Sequence, residues 1–170
     1  MIRSFNDKTP KIAKSAFISE AAYVIGEVEI GESSSVWPGA VIRGDVASIK
    51  IGGNTTIQDN SVLHTDVNIP LEIGDNVLIG HSVVLHGLKI GSNTLIGNNA
   101  TVLGESKIGS FCIIAAGSVV SQGSEIPDNS MVAGVPAKIK GQVSQEQRRQ
   151  LKEWPQIYTE LTKRYKEQGL

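Results

Sequence analysis

Aliphatic side chains recur at every sixth position along most of this chain, and few folds can accommodate that spacing. A period of six fits neither an α-helix, which repeats every ~3.6 residues, nor a plain alternating strand. The fourth residue after an aliphatic position is often small, as at Ser34, Ser61 and Thr94. The aliphatic positions form four runs: Ile12, Ile18, Val24, Ile30, Val36 and Ile42; Ile51, Ile57 and Leu63; Ile73, Ile79 and Leu85; and Ile90, Ile96, Val102, Ile108, Ile114, Val120, Ile126 and Val132.

One short strand fits in each repeat, and three repeats close a triangular coil whose aliphatic side chains point inward. Successive coils then stack at the ~4.8 Å spacing of paired strands. From Ile12 to about Val132 the pattern resembles the left-handed parallel β-helix. The left hand is what the resemblance implies, because parallel crossovers are otherwise right-handed. We therefore predict an all-β fold, a left-handed parallel β-helix of hexapeptide repeats with a C-terminal α-helical segment.

The apolar spacing becomes helical near the C-terminus. Ser144 and Gln147 match a capping box, which predicts a helix to about Glu153, and Pro155 suits the first turn of a second helix. We predict a single domain over 1–170, with the β-helix at about 10–140 and the helices at about 144–168. An apolar stripe should pack these helices on the β-helix, and Tyr158 within it is a candidate active-site residue. The stripe comprises Leu151, Trp154, Tyr158, Leu161 and Tyr165.

The composition argues against several classes of partner. The chain has 16 basic and 17 acidic residues and a net charge of −1, so no cationic excess suggests a nucleic-acid or membrane surface. Neither a signal-peptide core nor an apolar run of about 20 residues occurs. The only cysteine, Cys112, stands at a small-residue position, which predicts a buried apolar role. We predict a cytoplasmic protein with neither nucleic-acid nor membrane partners.

The six-residue spacing is interrupted only near the histidines. It is nine residues from Ile42 to Ile51, ten from Leu63 to Ile73 and five from Leu85 to Ile90. A solenoid accommodates insertions as outward loops, so we predict loops at the longer intervals. Irregularities confined to the histidine region favour a functional site there.

All three histidines lie between Ser61 and Gly87. His64 and His86 each follow an inward leucine, so they should stack on one edge of the triangle, ~5 Å apart, and converge on one metal ion. His81 faces another edge and would reach that ion only from a neighbouring chain in a threefold trimer. Three histidines leave a fourth coordination position open, which is typical of a catalytic metal.

These residues together resemble the gamma-class carbonic anhydrase family. The resemblance rests on the hexapeptide repeat, on Val41-Ile42-Arg43-Gly44-Asp45, on Ile57-Gln58-Asp59-Asn60 before His64, and on Ile79-Gly80-His81 and Val84-Leu85-His86-Gly87. It implies a homotrimer that hydrates CO₂ reversibly to bicarbonate with a metal-bound hydroxide. The metal, Zn²⁺ or Fe²⁺, would be held by His64 and His86 of one chain and His81 of its neighbour.

The resemblance also implies roles for other polar residues. Gln58 would hydrogen-bond the metal-bound hydroxide, and Arg43, Asp45 and Asp59 would lie beside the metal ligands at the interface. Arg43 and Asp45 alternatively form only a salt bridge that stabilises the trimer. Proton release needs an acceptor, and the short segment TDVNIP offers Asp66 where the best-studied form of the family has a longer acidic loop. That departure puts fast turnover in doubt, but not metal binding.

Other functions are compatible with the same repeat. The resemblance extends to relatives regarded as acyl-CoA thioesterases or transferases. Other hexapeptide β-helices are acyltransferases that use one histidine as a general base and need no metal. The segment from Val132 to Lys138 is common to such transferases. A third possibility is a non-catalytic metal-binding trimer. Metal content separates the transferase from the others, although imidazole ligands accept Zn²⁺, Fe²⁺ and Co²⁺ alike.

Overall fold

A computed structural model describes residues 1–170 as a β-solenoid of stacked coils followed by one α-helix, α1 (Gln145–Glu167). The strands within the coils pair in parallel, as the six-residue period predicts, and only the last strand pairs antiparallel. In chain order they are β1 (Ile2–Arg3), β2 (Lys11–Ile12), β3 (Phe17–Ile18), β4 (Tyr23–Ile30), β5 (Ser35–Val36), β6 (Val41–Ile51), β7 (Thr56–Ile57), β8 (Val62–Leu63), β9 (Leu71–Ile73), β10 (Leu78–Ile79), β11 (Val84–Leu85), β12 (Lys89–Ile90), β13 (Leu95–Ile96), β14 (Thr101–Val102), β15 (Lys107–Ile108), β16 (Ile113–Ile114), β17 (Val119–Val120), β18 (Glu125–Ile126), β19 (Ser130–Gly134) and β20 (Ala137–Gln142).

The core is a stack of the predicted inward residues. Ile79, for example, is fully buried and lies in register between Ile57 and Ile96. All the predicted aliphatic positions from Val24 onward are buried in this core, whereas Ile12 and Ile18, in the first coil, are only partly covered. The predicted small residues fill the corners, and Cys112 is buried among them. Burial raises the pKa of the Cys112 thiol, which fits the predicted apolar role.

The side chains that point outward give the three faces of the solenoid different characters. We name the helix face for its cover by α1: Leu95, Ile113 and Met131 pack against Leu151 and Trp154. The charged face carries Lys11, Glu29, Lys50, Glu72, Lys89, Lys107 and Glu125 in register. The valine face carries Val41, Val62, Val84, Thr101 and Val119 in register. Val62 and Val84 of the valine face are exposed, whereas α1 covers Leu95, Ile113 and Met131 of the helix face.

The C-terminal segment forms one helix instead of the predicted two. Ser144 caps it with the predicted capping box, but Pro155 lies inside the helix and is buried. A proline inside a helix removes one hydrogen bond and costs about 3 kcal/mol. Packing of the stripe on both sides of Pro155 keeps the helix continuous: Leu151 and Trp154 contact the helix face before it, and Tyr158 and Tyr165 stack on Trp37 after it. No helix in the structure is both long and apolar enough to cross a membrane.

The surplus residues between Ile42 and Ile51 do not form the predicted loop. They belong to β6, which passes through a corner of the solenoid and pairs with β4 on both sides of a register shift. Because both ends of β6 remain paired, the extra residues are absorbed as a bulge within the ladder. The surplus after Leu63 does form a loop, closed by a bridge between Asp66 and Ile69. Both irregularities lie at the corner that carries His64.

Candidate metal centre

The histidines occupy the two corners that border the valine face. His64 and His86 follow β8 and β11 at the corner next to the charged face, which we call the His64–His86 edge. His81 comes two residues after β10, at the corner next to the helix face, which we call the His81 edge. The three histidines therefore flank one face of the solenoid from opposite sides.

His64 and His86 stack as the repeat predicts. The strands before them pair in register, Leu63 with Leu85, so the two imidazoles project from equivalent points of successive coils. Their ring centroids are 5.2 Å apart, and Nδ1 of His64 lies 3.1 Å from Nε2 of His86. Two nitrogens bound to one metal at ~2.0–2.1 Å in tetrahedral geometry are about 3.3 Å apart. The observed spacing is therefore close to that of a metal-ligand pair.

Asp45 contacts Nε2 of His64, the ring nitrogen that does not face His86. Its Oδ1 lies 2.9 Å from Nε2 of His64, and its Oδ2 accepts a hydrogen bond of 2.5 Å from Nη1 of Arg43. Burial alone would raise the pKa of the Asp45 carboxyl, but hydrogen bonds from Arg43 and His64 and the charge of Arg43 lower it below its usual value. Asp45 is therefore ionised at neutral pH and favours a proton on Nε2 of His64. In the neutral imidazole with that tautomer, Nδ1 carries a lone pair.

The His86 ring has a similar carboxylate neighbour. Oδ2 of Asp66 lies 3.3 Å from Nδ1 of His86, on the side away from His64. With protons on the two outer nitrogens, Nδ1 of His64 and Nε2 of His86 direct lone pairs at the same point. Two lone pairs at this distance repel each other unless a proton or a metal cation lies between them. With the protons so placed, the two facing nitrogens could act together as ligands of one cation.

The His81 edge has its own polar set. Nδ1 of His81 lies 3.0 Å from Oδ2 of Asp59, which comes from the coil before it. Gln58 is buried beside Asp59 and donates a hydrogen bond from Nε2 to the hydroxyl of Tyr158. Tyr158 comes from α1 and stacks edge-on against Trp37. Helix α1 thus brings the Tyr158 hydroxyl to Gln58. The apolar stripe predicts that the helix packs on the solenoid, but it does not predict this hydrogen bond.

His81 does not join the other two histidines within one chain. No three His, Cys, Asp or Glu side chains in the structure converge to form a metal site. This agrees with the expectation that His81 faces another edge. The resemblance had implied that Asp59 lies beside the metal ligands, but sequence reasoning missed that Asp66 approaches the His86 ring and did not assign Asp59 to His81. A signal for the Asp59–His81 pair was available, because Asp59 precedes His81 by the same 22 residues that separate His64 from His86.

Comparisons with known proteins support the repeat and point to a family. Residues 70–104 and 87–122 match the model of bacterial transferase hexapeptide (six repeats). The chain is 40% identical to gamma carbonic anhydrase 2, mitochondrial, of Arabidopsis thaliana over 83% of its length, but it spans only 53% of that relative. It is 42% identical to a carbonic anhydrase of Geobacillus kaustophilus, over 98% of this chain and 91% of the relative. A crystal structure of a Bacillus cereus protein, to which acetyltransferase activity has been attributed, superposes with a TM-score of 0.94 at 39% identity, over 98% of this chain and 96% of that chain.

Proposed function

Because this chain belongs to the gamma-class carbonic anhydrase family, we propose that it is a metal-dependent enzyme that hydrates CO₂ reversibly to bicarbonate. The observation that carries the proposal is the pair of facing nitrogens of His64 and His86, each ring backed by a carboxylate. The same proposal assigns His81 of a neighbouring chain as the third ligand. The site would then lie between two chains.

The donor set fits a divalent transition metal. Neutral imidazoles suit Zn²⁺, Fe²⁺ and Co²⁺, and carboxylates behind the ring nitrogens fix ring orientation and strengthen the ligands. A bound divalent metal would lower the pKa of a coordinated water to about 7 and so supply the nucleophile for CO₂. With three histidines as ligands, a fourth coordination position of the metal would be open to that water. We propose Zn²⁺ or Fe²⁺ as the metal.

The valine face supports a threefold assembly. Val62 and Val84 are 38% and 45% exposed on this face. They lie between the His64–His86 edge and the His81 edge, each of which carries part of the proposed metal site. If three chains turn this face toward a common axis, the His81 edge of each meets the His64–His86 edge of the next. Burial of the valines would stabilise the trimer at about 25 cal/mol per Å² of apolar surface. One arrangement therefore covers the exposed apolar strands and completes three sites.

The remaining polar residues have roles that follow from their contacts. Asp45, fixed by Arg43, orients His64, and Asp59 orients His81. Gln58 lies on the His81 edge, and Tyr158 holds its amide, so the amide oxygen is available to orient a reacting water or bicarbonate. Tyr158 acts through Gln58 and is a positioning residue in this scheme.

Replacing Tyr158 with phenylalanine should lower kcat/KM for CO₂ hydration by about 3- to 10-fold, because a hydrogen bond worth about 1 kcal/mol that holds Gln58 is lost. Metal affinity should not change. Stopped-flow assays measure the hydration rate, and metal analysis measures the bound metal. Tyr165→Phe is the control, since Tyr165 packs through its ring against Trp37. Equal losses in both variants would argue against a role for the Gln58 contact.

The direct test of the proposed function is stopped-flow CO₂ hydration by protein purified without oxygen and loaded with Zn²⁺ or Fe²⁺. We expect catalysis in the loaded protein and a loss of at least about 100-fold in His81→Ala, because removing a ligand should cost more than the 10- to 100-fold typical of its outer partners. A metal-loaded assembly that does not hydrate CO₂ would contradict the proposal and favour a thioesterase or a non-catalytic metal-binding protein.

The alternative of an acyltransferase is favoured by one observation, the close superposition on the Bacillus cereus structure. Such an enzyme would transfer an acyl group from a thioester carrier with one histidine as general base. It would retain full activity in chelator. Thioester-dependent acyl transfer by metal-free protein would therefore support this alternative over the anhydrase.

A further inference from the structure

The loop after β8 carries Asp66 across the edge of the solenoid. The backbone N–H of Ile69 donates to the carbonyl of Asp66 at 3.1 Å, which closes the loop into a tight turn. Before it, Thr65 is buried and its hydroxyl donates to the carbonyl of Ala47 at 3.4 Å. Both ends of this short loop are therefore anchored. The backbone position of Asp66 is therefore set by the fold.

Gly104 lies directly under the Asp66 carboxylate. A Cβ atom built at Gly104 would stand 2.2 Å from Oδ2 of Asp66, far inside van der Waals contact. The nearest backbone atom to that Cβ is the carbonyl oxygen of His86, at an ordinary 3.6 Å. The conflict is thus with the Asp66 carboxylate alone. A residue with a Cβ atom at position 104 would push the Asp66 carboxylate out of its present place.

We propose that Asp66 is a positioning residue that orients the His86 imidazole for metal binding, and that Gly104 lacks a side chain because it seats the Asp66 carboxylate. The inference rests on the proposed metal site. Oδ2 of Asp66 lies 3.3 Å from Nδ1 of His86, where a carboxylate favours the tautomer that carries its proton on Nδ1 and turns the lone pair of Nε2 toward His64. The role differs from proton transfer to solvent, because it acts before any substrate arrives.

Two substitutions remove this support in different ways. Asp66→Ala deletes the carboxylate, and Gly104→Ala displaces it while leaving its charge in the protein. If Asp66 positions His86, each should weaken Zn²⁺ binding by about 10- to 100-fold. The double variant should lose no more than Asp66→Ala alone, since both changes act through one contact. Asp66→Asn keeps an acceptor oxygen and should retain part of the affinity.

Two measurements test the proposal on the intact, assembled protein. Competition with a chromophoric chelator gives Zn²⁺ affinity, and ¹H–¹⁵N correlation spectra of the histidine rings in metal-free protein give the tautomer of His86. We expect a proton on Nδ1 in the wild type and a mixed tautomer in Asp66→Ala and Gly104→Ala. Glu105→Gln is the matched control, because it neutralises a neighbouring carboxylate whose hydrogen-bond partner is Gln122.

Several results would overturn the inference. Unchanged affinity and tautomer in both Asp66→Ala and Gly104→Ala would remove the positioning role, and an equal loss in Glu105→Gln would reduce it to net charge. If affinity is unchanged and hydration fails only at low buffer concentration, with rescue by added imidazole, Asp66 transfers protons instead. Failure of the wild type to bind either Zn²⁺ or Fe²⁺ would refute the proposed function, while the tautomer would still decide the role of Asp66.

Discussion

Chains carrying His81→Ala, refolded together with chains carrying both His64→Ala and His86→Ala, are expected to regain metal sites and CO₂ hydration that neither parent has. The reason is that each parent keeps one edge intact. The first retains the paired nitrogens of His64 and His86, 3.1 Å apart, and the second retains His81 beside Asp59. An intact site forms wherever these two edges meet across an interface.

The recovery has a predictable size. In an equal mixture with random assembly, about one quarter of the interfaces combine the two intact edges, because half of the chains supply each. Bound metal and hydration rate should both return to about that fraction of the wild-type value. The measurement is stopped-flow hydration with metal analysis of the refolded mixtures.

A mixture of His64→Ala chains with His86→Ala chains is the matched control. Both lost ligands belong to the same edge, so no pairing of these chains restores a complete site. Recovery in this control, or none in the first mixture, would contradict the shared site between chains. It would not affect the stacking of His64 on His86, which the fold produces within one chain.

The second large effect concerns the stability of the solenoid. Ile90→Ala should lower the free energy of unfolding by about 2–5 kcal/mol, because it leaves a cavity in the aliphatic stack. Ile90 is 1% exposed and lies in register between Ile73 and Ile108, so little can move in to fill the space. That loss is a large share of the ~5–15 kcal/mol by which most proteins are stable.

Lys89→Ala provides the comparison within the same two-residue strand. Lys89 points outward on the charged face, between Glu72 and Lys107, and its removal should change stability by no more than about 0.5 kcal/mol. Urea unfolding of both variants at one fixed chain concentration measures the difference, because assembly makes stability depend on concentration. Equal shifts would mean that the inward stack is not what stabilises the coils.

Much of the fold could be predicted because the repeat is local. Each six-residue unit adopts nearly the same backbone, so position within the unit decides whether a side chain points inward, outward or into a corner. That is why the buried stack from Val24 onward and the stacking of His64 on His86 were predicted correctly. The same logic, applied to the outward positions, would also have revealed the valine and charged faces.

The errors arose where neighbouring coils compete with the local pattern. An insertion after Ile42 was predicted to loop out, but pairing with β4 on both sides made it a bulge that brings Asp45 to His64. Pro155 was predicted to begin a helix, but packing of the stripe against the helix face kept α1 continuous. In both cases contacts along the whole element outweighed the preference of one short segment.

The sequence by itself determined the coil, its aliphatic core, and the edges on which the three histidines stand, since a period of six repeats one backbone geometry. Only the tertiary structure decided which carboxylate contacts each histidine ring. Tyr158 reaches Gln58 across 100 residues, and Asp66 rests on Gly104 two coils further along the solenoid. Such contacts depend on where a loop closes and where a helix docks, and no local period encodes either of them.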